Sequence, residues 1–124
     1  MKKKIIFFSG KRGGINHFIP IYKKLKKKNL YSFKFIFSDM HLSKTFGETI
    51  SEHKKLNQLI IKNKSLLNTD SEFSRSMSIS LGMKNNIKII KKEKPNLVVI
   101  LGDRSELFSI SVPCMIYNIP LLHF

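Results

Sequence analysis

Residues 97–101 read Leu-Val-Val-Ile-Leu, an unbroken run of β-type apolar side chains between Pro95-Asn96 and Gly102. A strand that is apolar at every position has no face to give to water. It is predicted to lie in the middle of a parallel sheet covered on both sides. Pro95 sets the end of the preceding helix. Gly102 then turns the chain, and Asp103, Arg104 and Glu106 follow at once. Charges at the carboxyl end of a central strand, just ahead of a helix, stand where open α/β sheets bind their ligands. The competing reading is that they serve only the helix, Ser105 as its cap and Glu106 against its dipole.

The rest of the chain alternates in the same way. Lys3 to Ser9 reads as a first buried strand, followed by the glycine-rich turn Gly10-Lys11-Arg12-Gly13-Gly14. A helix comes next, with Ile15, Phe18, Ile19, Tyr22 and Leu25 on one face; Pro20 is expected to bend it or to delay its first turn. Strand, glycine turn and helix together present backbone N–H groups and a positive dipole end to a phosphate. The pattern is neither GxGxxG nor a P-loop, and the glycines could equally serve the turn alone. Tyr31 to Ser38 reads as a second strand, with Asp39 and His41 at its carboxyl end, and Phe46 to Lys55 as a short helix. Leu59 to Ile61 reads as a third strand.

Ser71 to Lys92 is predicted to be one long helix, its core face drawn through Phe73, Met77, Ser80, Met83, Ile87 and Ile90. Gly82 is expected to let it approach the sheet closely. Leu107 to Tyr117 reads as an apolar helix containing Pro113, and Ile119 to His123 as a fifth strand. The order βαβαβαβαβ predicts one α/β domain over residues 1–124. Its sheet is doubly wound and parallel, in strand order 3-2-1-4-5. An apolar last strand with no helix after it leaves one flank of that sheet partly bare.

Composition narrows the function. There are 23 Lys and Arg against 8 Asp and Glu, a net charge of +15. Such a balance ordinarily points to nucleic acid or a membrane. Here the excess is mostly lysine, beside abundant isoleucine and asparagine, as AT-rich coding would write on any fold. The clusters Lys23-Lys24, Lys26-Lys27-Lys28 and Lys91-Lys92 fall on helix ends and outer faces, so we read them as solvated. Nucleic acid is kept as the alternative partner; no window suits a membrane span. Ile5 to Phe8 is too short for a signal peptide, and a cytoplasmic location is expected. The single Cys114 lies in an apolar helix and reads as a core thiol. Neither a metal-binding cluster nor a nicotinamide fingerprint is apparent, so no cofactor is expected.

Four stretches resemble one family. Met40-His41-Leu42-Ser43 with Phe46-Gly47 is similar to GMHLSxxFG. Leu101-Gly102-Asp103-Arg104-x-Glu106 is similar to LGDRxE. Asn118-Ile119-Pro120-x-x-His123 is similar to NIPxxHxxGGE, and Gly10-x-Arg12 with Pro20 to GTRxDxGxxxP. These are motifs of the amino-terminal domain of UDP-N-acetylglucosamine 2-epimerases, above all the hydrolysing branch used for sialic-acid-type sugars. The chain departs at Lys11, Gly14, Asn16 and Pro113, and Phe124 stands where the family runs on through HGGE.

The resemblance implies a Rossmann-like amino-terminal half of a GT-B-type fold. It also implies a reaction that eliminates UDP across C1–C2 of UDP-N-acetylglucosamine, then adds water to give N-acetylmannosamine. It implies Asp103 as the proton-transfer carboxylate, its acidity weakened by burial at the strand end. Arg12 would meet the nucleotide's phosphates and His41 the sugar. Gly10, Arg104, Glu106 and His123 complete the expected binding set, with Arg104 and Glu106 either pairing or orienting Asp103. The chain then reads as a truncated frame, a domain fragment or half of a split gene, inactive alone, with a non-functional remnant as an alternative. The expected partner is the UDP-sugar; a separately encoded carboxyl-terminal half and homo-oligomerisation are left open.

Overall fold

A computed structural model describes residues 1–10, 12–38, 56–65 and 70–124, with the backbone alone at residues 12 and 13. His41, the rest of the 40–47 motif and the short helix expected at 46–55 lie outside the described residues, as does Lys11.

The described residues form five strands and three helices. They are β1 (Lys3–Ser9), α1 (Arg12–Lys26), β2 (Tyr31–Ser38), β3 (Ile60–Asn63), α2 (Glu72–Glu93), β4 (Leu97–Ile100), α3 (Leu107–Ile116) and β5 (Leu121–His123). The strands form one sheet in the order β3-β2-β1-β4-β5, with every pairing parallel. β1 is central because it is apolar on both faces: Ile5 through Ser9 are all buried. Its register sets Phe7 beside Phe35 on one side and Val99 on the other.

One face of the sheet is aromatic. Phe7, Phe33, Phe35 and Phe37 project from the strands against Ile15, Phe18 and Tyr22 of α1. Phe7 stacks on Phe35 at 5.1 Å between ring centres, and Tyr22 meets Phe33 edge-on at 5.1 Å. Offset and edge-on pairs of this kind add directional attraction to the burial itself. The expected apolar face of α1 is therefore the one that packs. Pro20 neither delays the helix nor stops it, since α1 already begins at Arg12. Proline withholds an N–H from the Asn16 carbonyl, but Asn16 and Pro20 are both exposed, so water can serve that carbonyl.

The other face carries α2 and α3 over Ile6, Phe8, Ile36, Val98 and Ile100, with Ile90, Ile110 and Cys114 from the helices. Here the structure corrects the sequence. α2 does not bury the stripe through Phe73, Met77 and Ile87, which are 74%, 38% and 41% exposed. It buries Ser74, Gly82, Asn86 and Ile90, a row at four-residue spacing. Gly82 serves α3 rather than the sheet: a Cβ there would stand 3.4 Å from the Ser109 side chain and 3.3 Å from Ser65 Oγ. Ser71 caps α2 as its hydroxyl accepts from the Ser74 N–H at 3.0 Å. α3 runs through Pro113 to Ile116.

Lys23, Lys24 and Lys26 fill the last turn of α1, and Lys91 and Lys92 that of α2. Cations at helix carboxyl ends complement the dipole. In a parallel sheet those ends lie at the amino edge of the strands, together with Lys2 and Lys3. The positive pole is thus opposite the carboxyl edge. Among the described residues no helix is long and apolar enough to cross a membrane. β5 and the outer side of α3 expose Leu121, Leu122, Phe124, Phe108, Met115 and Ile116, the partly bare flank expected.

Candidate functional site

β1 and β4 are neighbours at the middle of the sheet, so the segments leaving their carboxyl ends emerge side by side. From β1 come Gly10 and the first turn of α1, with Gly14 buried. From β4 come Leu101, Gly102 and the turn into α3. Between them lies a shallow cleft, open to solvent, whose cavity volume is about 10 Å³. Gly10, Gly14, Phe18, Leu101, Arg104 and Glu106 are among the residues that line it.

Glu106 forms its wall. The residue is only 8% exposed, and its Oε1 accepts a close hydrogen bond from the Arg104 Nε–H. A carboxylate this buried needs such a partner, because desolvation otherwise penalises its charge. The identity of residue 10 follows from this wall. A Cβ on Gly10 would stand 2.9 Å from Glu106 Cγ and 3.0 Å from Cδ, inside van der Waals contact. Glycine is required there for close approach. Gly102 is different: nothing crowds it, but its φ is +86°, a conformation that L side chains rarely adopt.

Of the helix reading of this segment, the Ser105 cap is not made, whereas Glu106 does stand at the amino end of α3, against its dipole. No side-chain hydrogen bond caps α3. Backbone bonds close its entry instead, from Leu107 N to Arg104 O at 3.0 Å and from Phe108 N to Ser105 O at 3.1 Å. The Glu106 carboxylate is thereby left to the cleft. Neither α1 nor α3 has an acidic residue in its first turn. Both helices begin at this edge, so two positive dipole ends face the cleft region, beside the paired Glu106 and the exposed Asp103.

Asp103 is exposed on the turn after Gly102 and is not among the residues lining the cleft. The expected burial at a strand end is therefore absent, because Gly102 carries the chain outward before the carboxylate is reached. His123 sits on the far side of the same turn. Its Nε2–H donates to the Gly102 carbonyl at 2.5 Å. The chain end also grips the turn, through Phe124 N to Ile100 O at 3.1 Å and Gly102 N to Phe124 O at 3.0 Å. Gly10, Arg104 and Glu106 are thus brought together, while Asp103 and His123 flank them on the β4 turn. Arg12 opens α1; its side chain, like His41, lies outside what is described.

Two things escaped the sequence reading. Ser9, Phe18 and Leu107 line the cleft, a role that strand and helix periodicity could not assign. Behind the wall runs a buried polar chain through Asn63, Asn86 and Ser109. The i, i+4 recurrence of Ser74, Ser78, Gly82 and Asn86 was the available signal.

Fold and cleft together define an α/β domain that offers a glycine-floored recess at the carboxyl edge of its sheet. Solved structures sharing the fold include a UDP-GlcNAc 2-epimerase from Neisseria meningitidis bound to UDP-GlcNAc (TM-score 0.73, 20% identity, 98% of this chain and 32% of that one). MurG from Acinetobacter baumannii shares it too (TM-score 0.75, 13% identity, 98% of this chain and 34% of that one). Residues 23–124 match the family model described as UDP-N-acetylglucosamine 2-epimerase, and the chain belongs to that family. A GDP/UDP-N,N'-diacetylbacillosamine 2-epimerase (hydrolyzing) from Campylobacter jejuni is 32% identical over 122 residues. That alignment takes in 98% of this chain, which spans about a third (32%) of the relative's length.

Proposed function

We propose that residues 1–124 form the amino-terminal, nucleotide-sugar-facing domain of a hydrolysing UDP-sugar 2-epimerase. In this reading a second domain closes the other side of the cleft. One observation carries the reading: Glu106, held by Arg104, packs onto a glycine floor where two helix amino ends converge. The two helix amino ends are what a departing diphosphate requires, since anionic charge grows on UDP as its bond to C1 breaks, and Arg104 neutralises the Glu106 charge beside them.

The chemistry divides as follows. A base removes the weakly acidic C2 proton while UDP leaves C1, which gives an unsaturated sugar. Water then adds at C1 and a proton returns to C2 from the opposite face, which inverts that carbon. The products are the free 2-epimer and UDP. Asp103 is assigned to proton transfer. Its exposure on this domain means that desolvation must come from the bound sugar and the opposing domain. Arg12 is assigned to the diphosphate, and His41 to the sugar. Arg104 and Glu106 shape the wall, and His123 braces the turn that carries Asp103. The acetamido sugar and the nucleotide base are read largely by the opposing domain, so UDP-N-acetylglucosamine and its diacetamido analogues are all candidate substrates. A cytoplasmic site of action follows from such activated-sugar substrates.

The test is turnover with and without a second domain. The purified chain should bind UDP weakly and release no UDP from UDP-N-acetylglucosamine. Adding the carboxyl-terminal two-thirds of a homologous epimerase should bring UDP release above the rate of either piece. Normal turnover by the chain alone would refute the two-part assignment. Absence of UDP binding would refute the nucleotide-site assignment.

A further inference from the structure

A polar chain runs through the layer between the sheet and its second face. The Asn85 Nδ2–H donates to Asn63 Oδ1 at 3.0 Å. The Asn63 Nδ2 group donates to Asn86 Oδ1 at 2.8 Å and to the Gly82 carbonyl at 3.0 Å. Asn86 Nδ2–H donates to Ser109 Oγ at 3.0 Å, and Ser109 O–H donates to the Glu106 carbonyl at 2.5 Å. Asn63, Asn86 and Ser109 are 1%, 0% and 2% exposed. The donors follow head to tail from Asn85 on α2 to Asn63 on β3, back to Asn86 on α2 and on to the first turn of α3, and the chain ends on the backbone of the residue that walls the cleft. Leucine-sized groups would fill the same space, and fully buried polar chains contribute little net stability over apolar packing. What the amides add is direction: sliding or rotating α3 would lengthen the 2.8–3.0 Å amide bonds that tie it through Asn86 to β3.

We propose that the Asn63–Asn86–Ser109 chain is a positioning device, with Asn86 at its hub, that fixes the rotation of the α3 entry and so holds Glu106 over Gly10 and within reach of Arg104. Its consequence for ligand binding rests on the cleft being the nucleotide site, as argued above. Asn86→Leu keeps the volume and leaves Asn63 its bond to Gly82 and Ser109 its bond to Glu106. Ser109→Ala cuts the chain at its last link with almost no change in shape. Ile90→Val, on the same stripe of α2 but outside the chain, is the control for loss of packing.

The first readout is the Arg104 Nε–H resonance in ¹⁵N-labelled protein, which reports the pair with Glu106 without any ligand. Its solvent exchange should quicken about tenfold or more in both test variants and stay unchanged in the control. UDP titration of the same samples should show weaker binding by about fivefold in the test variants alone. An unchanged Nε–H signal in both test variants overturns the proposal, as does an equal response in Ile90→Val. A changed Nε–H signal with unaltered UDP affinity supports the positioning role and refutes the nucleotide reading of the cleft.

Discussion

The two faces of this sheet are held in different ways. On the α1 face, Phe7, Phe18, Phe33, Phe35 and Tyr22 interlock through their rings. On the other face α2 presents Ser74, Gly82 and Asn86 to α3, and the helices meet through Gly82 against Ser109. Apolar burial is strong but non-directional, so it fixes that α1 packs without dictating every ångström of where. The amide and hydroxyl contacts are weaker in net terms and far more particular about geometry. The face that specifies position is the one whose last hydrogen bond lands on the cleft wall. Strength and placement have been assigned to opposite sides of one layer.

The largest expected effect strikes the aromatic face. Phe7 is fully buried, with ring centres of Phe35 and Phe18 at 5.1 and 5.2 Å. Phe7→Ala should cost about 3–5 kcal/mol in urea unfolding, since the surrounding rings cannot collapse into the gap. Asn86→Leu on the opposite face should cost far less in the same assay. Equal losses would erase the contrast between the faces.

Next comes the cleft wall. Gly10→Ala drives a Cβ into the Glu106 side chain. Overpacking of this sort costs about 1–3 kcal/mol, and the displaced carboxylate should give up its bond to Arg104. UDP affinity should fall with it. A Gly10→Ala protein of unaltered stability and binding would mean that Glu106 has room to spare.

Gly102→Ala should be milder, about 1–2 kcal/mol, because the strain lies in its φ of +86° and not in any contact. The comparison of Gly10 with Gly102 separates crowding from conformation. Only the first should disturb the Arg104 Nε–H resonance directly.

The smallest effect at neutral pH concerns Cys114. Burial pushes its thiol up to about 12 from an ordinary value of 9.0. Above about pH 9 the unfolded chain therefore loses a proton that the folded chain keeps. Stability is intact below that pH and falls as pH rises toward 12, by up to about 1.4 kcal/mol per unit from this group. Cys114→Val should lack that contribution, so the difference between the two proteins should grow through pH 9–12 in parallel urea titrations. A constant difference would contradict the burial.

Much of this was legible in the residues. The bounds of β1 and β2, the parallel order and the face of α1 could be read because continuous apolar runs and an apolar helical stripe mean burial when the partner is also apolar. α2 misled for the same reason. Phe73, Met77 and Ile87 make the more apolar stripe, yet Ser74, Gly82 and Asn86 make the buried one, because α3 approaches through hydrogen bonds and a glycine notch. Apolarity marks which stripe is buried only where burial is driven by area. The site divided likewise. Gly10, Arg104 and Glu106 were visible as a set in the motifs. The exposure of Asp103 was not, since it depends on the outward turn at Gly102.

The account rests on the carboxyl-edge cleft, and not the lysine-rich amino edge, being where a nucleotide binds. Titrating UDP into the ¹⁵N-labelled chain while following each amide tests this most directly. Saturable shifts at Gly10, Gly14, Arg104 and Leu107, with Lys27, Lys92 and Lys94 unmoved, are the predicted result. Shifts confined to the lysines, or none that saturate at the cleft, would contradict it.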